Sequence, residues 1–332
     1  MTTTAVPVVR NRRYWLRLAR LATAAILLTG LIVILALGVV PMWLLLHPSC
    51  AVTTTPASEG FTYQAINIPN REGGVWRGYF IPAQGTPNTA RNRVTIIAPP
   101  AYNGDAGATL YETKVLVQAG FQVLTFESVV CARGGVHSLG ALEAAQIEDA
   151  LAYLKQNSAA LNVDLTKIAL HGFSSAGASS IFAAARTPEI AAVLAEGNYF
   201  DLDSYMSISQ SDNPFINVVV FAMRLTYRLS TGQDPAVLTP ITAITHIPPR
   251  PLFLIYGSPE VERGGAKQLL AAAQVAAPAS INFPKLWIVP GSRHGGYIYA
   301  GETEYARYAV SFYDCALNAD CAAWTQMWEA QQ

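Results

Sequence analysis

The stretch "KIALHGFSSAGASS", residues 167–180, runs from an apolar segment through a glycine-serine cluster into small residues. A short buried strand followed at once by a helix puts one of two adjacent serines, Ser174 or Ser175, on a sharp turn at the sheet's edge. Small neighbours are needed because the backbone turns tightly and the helix packs close to the strand. Two registers compete. Ser174 reads as G-x-S-x-A, with Ala176 where a second glycine is usual; Ser175 reads as F-x-S-x-G, with Phe173 at the first position. "KIAL" leads directly into His171 and Gly172 and leaves little room for Phe173 as the first turn residue, which favours Ser174. Alone, the pattern also fits a plain small-residue helix start.

Outward from this stretch, strands and helices alternate. Residues 61–69 and 74–82 alternate apolar and polar positions around "NREGG", a hairpin with one solvated face. Short apolar runs at 94–100, 121–128, 167–174, 190–199, 250–258 and 285–292 have the character of buried parallel strands. Helical stretches lie between them, at about 107–119, 175–186, 262–276 and 303–316. In "ALEAAQIEDALAYLKQ", Ile147, Ala150, Leu151 and Leu154 fall on one stripe. The pattern predicts an α/β fold: a mostly parallel sheet of about eight strands, begun by an antiparallel hairpin, with helices on both faces. Such sheets bind ligands at the C-terminal ends of their strands. Residues 201–249 break the rhythm and carry "FINVVVFAMRLTYRL", either a cap over the site or a core helix on a long connection.

A nucleophilic serine needs a base, and the chain has five histidines. His47 belongs to the apolar N-terminal segment, His171 lies within a buried strand, and His246 precedes a strand entry. His137 sits in no such setting. His294, in "PGSRHGG" after the last strand, has glycines that let an imidazole project above the sheet edge. The base needs a carboxylate to hold its tautomer. Glu260, two residues after Ser258 at the end of a strand, falls in the chain order Ser, acid, His. Asp201, after the preceding strand, is the rival acid, and Glu262 is a nearby decoy.

With these three roles on three strand ends, the chain resembles the α/β-hydrolase superfamily over about residues 61–316, close to serine hydrolases whose catalytic domain follows a membrane anchor. The resemblance implies hydrolysis through an acyl-enzyme without a cofactor: Ser174 attacks, His294 shuttles the proton and Glu260 orients it. The loop after the third strand departs from the family pattern. It reads "APPAYNGD", with prolines at 99 and 100, so the oxyanion hole is expected from the N–H groups of Ala101 and Ser175. "ESVVCARGGVHS" echoes a further family run through Arg133 and Gly134.

The 332 residues carry 22 basic and 22 acidic side chains, a balance that gives no reason to expect nucleic acid as a partner. Only 13% are charged and 52% are hydrophobic, and the excess is concentrated. No charged residue occurs from Leu21 to Leu46, long enough to cross a ~30 Å hydrocarbon core. Arg10, Arg12, Arg13, Arg17 and Arg20 precede this span, and the next charge is Glu59. The positive side faces the cytoplasm, so the expected topology is a single pass through the cytoplasmic membrane, N-terminus inside and catalytic domain extracytoplasmic. Trp15 and Trp43 fit interfacial anchoring. A cleaved signal peptide is the competing reading, but its apolar region is usually ~7–15 residues.

The expected organisation is a basic segment 1–20, a membrane helix 21–46, a tether 47–60 and a hydrolase domain 61–332. On the oxidising side, four cysteines permit disulfides. Cys315 with Cys321 is the simplest pair, leaving Cys50 with Cys131; free buried thiols are the alternative. No spacing suggests a metal site. The expected activity is that of a serine esterase on a small-molecule ester, with an amide or peptide next. The rival function, motivated by the two prolines, is a non-catalytic α/β-hydrolase-like domain that binds a ligand or partner.

Overall fold

The computed structural model describes residues 12–85, 88–206, 212–277 and 282–330. Arg10 and part of the expected basic segment lie outside them. The eight expected strands all form: β1 (Gln64–Pro69), β2 (Val75–Ile81), β3 (Thr95–Ala98), β4 (Gln122–Phe126), β5 (Ile168–Phe173), β6 (Ala192–Glu196), β7 (Leu252–Gly257) and β8 (Lys285–Val289). They make one sheet in the order β1-β2-β4-β3-β5-β6-β7-β8. β1 and β2 are antiparallel, β2 meets β4 antiparallel, and all later pairings are parallel.

Composition explains the positions. β3, β4, β6 and β7 are buried along their whole length, as strands covered by helices on both faces must be. β1 buries alternate residues only, because one face of this edge hairpin meets water. One layer of core holds Ile147, Leu151 and Leu154 from the helix Ala141–Asn157; the other holds Tyr305, Tyr308 and Phe312 from the helix Glu302–Asn318.

The N-terminal helix runs Arg12–Leu46, the one described helix long and apolar enough to cross a membrane by length and composition. Its first half is exposed around its whole circumference, including Leu21, Ile26, Leu27 and Leu31. A π turn at Leu35–Val39 precedes the last segment, which buries Met42 and Leu46 in the domain core. The following residues lie against the domain. Cys50 is bonded to Cys131, Ala51 N–H donates to Asn103 O (2.9 Å), and Thr53 N–H donates to Asp105 Oδ2 (2.8 Å). Cys315 and Cys321 form the second disulfide, as the sequence suggested.

The described residues of 201–249 are largely helical. The longest helix, Pro214–Thr231, is capped by Asn213 and packs along the N-terminal helix, with Ala222 and Val219 against Gly38. We refer to it as the cap helix.

Candidate active site

β5 ends at Phe173, and the helix Ser175–Arg186 begins two residues later, so Ser174 is the whole turn. It is forced to φ 55° and ψ −123°, a region strained for any residue with a Cβ. Its N–H donates to Glu196 O on β6 (2.7 Å), which anchors the strained peptide to the sheet. A Cβ on Gly172 would lie 2.4 Å from Ala176 O, so this glycine is what lets the helix fold back onto the strand.

Ser174 Oγ and His294 Nε2 are 3.0 Å apart, and His294 Nδ1 is 2.6 Å from Glu260 Oε2. The three side chains come from the ends of β5, β8 and β7. Glu260 stands on a 3-10 turn after β7, where Gly257 N–H donates to Oε1 (2.9 Å) and the Tyr297 hydroxyl donates to the same oxygen. Burial alone would raise this carboxyl, but the hydrogen bonds from His294, Tyr297 and Gly257 outweigh it and hold it below the ordinary carboxylate range. An ionised carboxylate only accepts, so the proton of the short contact belongs to Nδ1, leaving Nε2 to accept from Ser174. The Phe173 ring packs on the imidazole at 4.7 Å between centroids.

The rival acids are placed elsewhere. Asp201 accepts the Ser204 N–H (2.6 Å) at the start of the helix Leu202–Met206. Glu262 is exposed beside Lys267. His171 is buried under the sheet, 3.1 Å from Glu196 and 3.0 Å from the Tyr305 hydroxyl. His47 stacks on Trp43, and His246 is exposed beside Thr245. Arg133 lies over the Trp76 ring.

Ser175 has a relay of its own. Its Oγ accepts the Tyr102 N–H (3.0 Å) and lies 3.2 Å from His137 Nε2. His137 Nδ1 is 2.8 Å from Glu143 Oε1, and all three side chains are buried. Glu143 also accepts the N–H groups of Ser138 (2.7 Å) and Gly140 (2.8 Å) and the Ser138 hydroxyl. Burial would raise Glu143, but His137 alongside and the Ser138 hydroxyl and N–H bring it down to about 2.

Four residues join the candidate set from the structure: Tyr297, Tyr102, His137 and Glu143. Tyr297 follows His294 by three positions in "HGGY", a local signal. Tyr102 follows Ala101 and had the same loop as its signal. His137 and Glu143 meet Ser175 across a gap in the chain and left no spacing to read.

Above Ser174 lies a cavity of about 380 Å³. Its walls include Leu139, Tyr199, Leu202 and Met206, with Tyr102 from the β3 loop and Leu45 from the N-terminal helix. Arg263 also lines it, over the Tyr205 ring at 4.8 Å. Two hydrogen bonds fix the end of the N-terminal helix to this wall: the Tyr102 hydroxyl donates to Leu45 O (2.8 Å) and His137 N–H to Leu46 O (2.9 Å). Among the described residues, no group of three His, Cys, Asp or Glu is placed to hold a metal ion.

The sheet order, the strained serine after β5 and the chain order of the three strand ends define an α/β-hydrolase fold. Solved structures share it. An esterase of Pyrococcus furiosus, Pf2001, superposes with a TM-score of 0.60 at 19% identity, covering 82% of this chain and 99% of its own. The α/β hydrolase GrgF of a Penicillium species gives 0.55 at 17%, covering 77% and 99%. An esterase of Pyrobaculum calidifontis gives 0.56 at 16%, covering 77% and 84%. No family model and no curated protein matches the sequence.

Proposed function

We propose that this protein is a membrane-anchored serine hydrolase that cleaves carboxylic esters through an acyl-enzyme. The observation that carries the reading is the chain Ser174 Oγ, His294 Nε2 and Nδ1, Glu260 Oε2, at 3.0 and 2.6 Å, beneath a cavity. Ser174 attacks the ester carbonyl while His294 takes its proton, and Glu260 stabilises the imidazolium. The proton then passes to the leaving alkoxide. Water, activated by the same imidazole, releases the acid. The fold is shared by the esterases of P. furiosus and P. calidifontis and also by a peptidase and an isopeptidase, so amide cleavage is the second reading.

For the oxyanion we assign the Ser175 N–H, which opens a helix and so has no intrahelical acceptor. The second donor belongs to the loop after β3. The Tyr102 N–H is already given to Ser175 Oγ (3.0 Å), so we assign Ala101, the first residue after the two prolines with an N–H to offer.

We place Arg12–Leu46 across the cytoplasmic membrane with the arginines inside and the catalytic domain outside. From Leu21 to Thr29 it is uncharged and exposed on every side, which supports lipid as its solvent. Resistance of the full chain to alkaline carbonate extraction tests the anchor.

A fluorophosphonate probe tests the chemistry: the full chain is labelled and Ser174→Ala is not. Absence of labelling together with absence of ester turnover would return the protein to the class of non-catalytic binding domains.

A further inference from the structure

The cleft and the membrane helix are one structure, and their relative height can be read along the helix. Trp15 and Trp43 are 28 positions apart, roughly 42 Å at ~1.5 Å per residue, which matches a bilayer of ~40–45 Å with its headgroups. With both indoles at the interfaces, Gly38 falls near the outer edge of the hydrocarbon. Leu45, which walls the cleft, is two residues beyond Trp43, about 3 Å further out. The cleft therefore opens at headgroup height.

The cap helix meets the membrane helix at Gly38, about 10 Å nearer the hydrocarbon than Leu45. A Cβ on Gly38 would lie 3.0 Å from both Ala222 Cβ and Val219 O, so glycine permits the crossing. Beside this contact the cap helix exposes Phe215, Val218, Phe221, Leu225 and Leu229. Their spacing of three or four places them on one stripe. Arg224 lies off this stripe and Arg228 borders it beside Phe221; they are paired with Asp203 and Asp234. Arg224 and Asp203 (2.6 Å) also tie the cap helix to the helix Leu202–Met206, which walls the cleft. In water such a stripe is a liability. Here it continues the exposed apolar surface of the N-terminal helix.

We propose that the cap helix lies in the outer leaflet and that the cleft takes its substrate from there: the acyl ester of a membrane lipid. This rests on the hydrolase reading above. The leaflet presents the ester near the level of Gly38, about 10 Å below Leu45, and the lipid rises into the cleft so that its acyl chain lies along Leu45, Leu139, Leu202 and Met206. Ser174 Oγ bonds the acyl carbon, the bond from that carbon to the glycerol oxygen breaks, and this oxygen takes the proton held by His294. Water then hydrolyses the acyl-enzyme, so fatty acid and the deacylated lipid are the products.

The experiment uses the full chain in vesicles of dioleoylphosphatidylcholine, dioleoylphosphatidylglycerol and dioleoylglycerol, with p-nitrophenyl acetate as the water-soluble ester. The wild type releases oleate. The double variant Phe221→Glu, Leu229→Glu loses oleate release by at least about tenfold, because two charges expel the stripe from the interface. Its p-nitrophenyl acetate turnover and fluorophosphonate labelling stay unchanged, which shows that the variant is folded. Leu229→Gln gives a smaller loss in the same direction. Turnover of p-nitrophenyl acetate without oleate release, or equal oleate release by wild type and double variant, overturns the lipid substrate and leaves the hydrolase standing. Absence of both turnovers and of labelling in the wild type overturns the hydrolase and this inference with it.

Discussion

Ser175 Oγ stands 3.2 Å from His137 Nε2, immediately beside the 3.0 Å contact of Ser174 Oγ with His294 Nε2. Two consecutive serines thus face two different histidines, each next to its own glutamate. Exposure separates their tasks: the His294 side chain is 48% exposed and that of His137 is fully buried. A substrate reaches the first pair only, so the second is a positioning device for the Tyr102 loop.

Ser175→Ala therefore retains fluorophosphonate labelling at Ser174 but slows the enzyme. Without the hydroxyl, Tyr102 N–H is no longer held. We expect kcat to fall on the order of tenfold, below the ~10²–10³ cost of losing an oxyanion donor outright, with KM little changed. Steady-state kinetics on a short-chain ester measures both. A change confined to KM would assign Ser175 to substrate binding instead.

Glu260→Gln leaves the geometry but loses the charge that stabilises the imidazolium, and kcat drops by about 10⁴. Tyr297→Phe removes one of the hydrogen bonds that hold the Glu260 carboxyl low, so that carboxyl titrates at a higher pH. We expect about a tenfold fall in kcat, with the loss deepening toward acid pH. A pH–rate profile of the variant reads this directly.

Glu143 links the fold to pH. Its folded-state carboxyl is lowered to about 2 from an ordinary 4.5. Between those values the unfolded chain binds the proton and the native protein does not, so stability is lost as pH falls through that window. Glu143→Gln flattens this part of the dependence, and thermal unfolding at stepped acid pH compares the two proteins. Identical acid slopes would mean that Glu143 does not carry the effect.

Replacing Cys50 and Cys131 with serine opens a link of sequence separation 81, at an expected cost of about 4–5 kcal/mol by chain entropy. Cys315 and Cys321 are six apart, and opening that loop costs about 2 kcal/mol less on the same account. Denaturant midpoints of the two double variants should rank in that order.

How much was legible follows the range of each interaction. Strands such as "RPLFLIYGS" announce themselves because burial on both faces needs an unbroken apolar run, and all eight form. Ser174, Glu260 and His294 could be singled out because each sits just past a strand, where the fold itself brings distant residues together. Of the two acids, Asp201 accepts an N–H of its own helix, while Glu260 lies beside His294. His137 and Glu143 escaped because nothing local distinguishes a buried histidine facing a serine 38 positions away. The stretch 47–60 looked like a tether by composition, and its small polar residues instead bond to the 103–105 loop. Small polar side chains serve either purpose, so composition does not separate them.

The Cys50–Cys131 bond bears on release into the medium. Only His47, Pro48 and Ser49 separate the end of the N-terminal helix from Cys50. A protease that nicks the backbone anywhere between Cys50 and Cys131 leaves the two fragments covalently joined. On the anchored reading proposed above, a cut among those three residues sheds the domain, whereas a nick between Cys50 and Cys131 sheds it only after reduction.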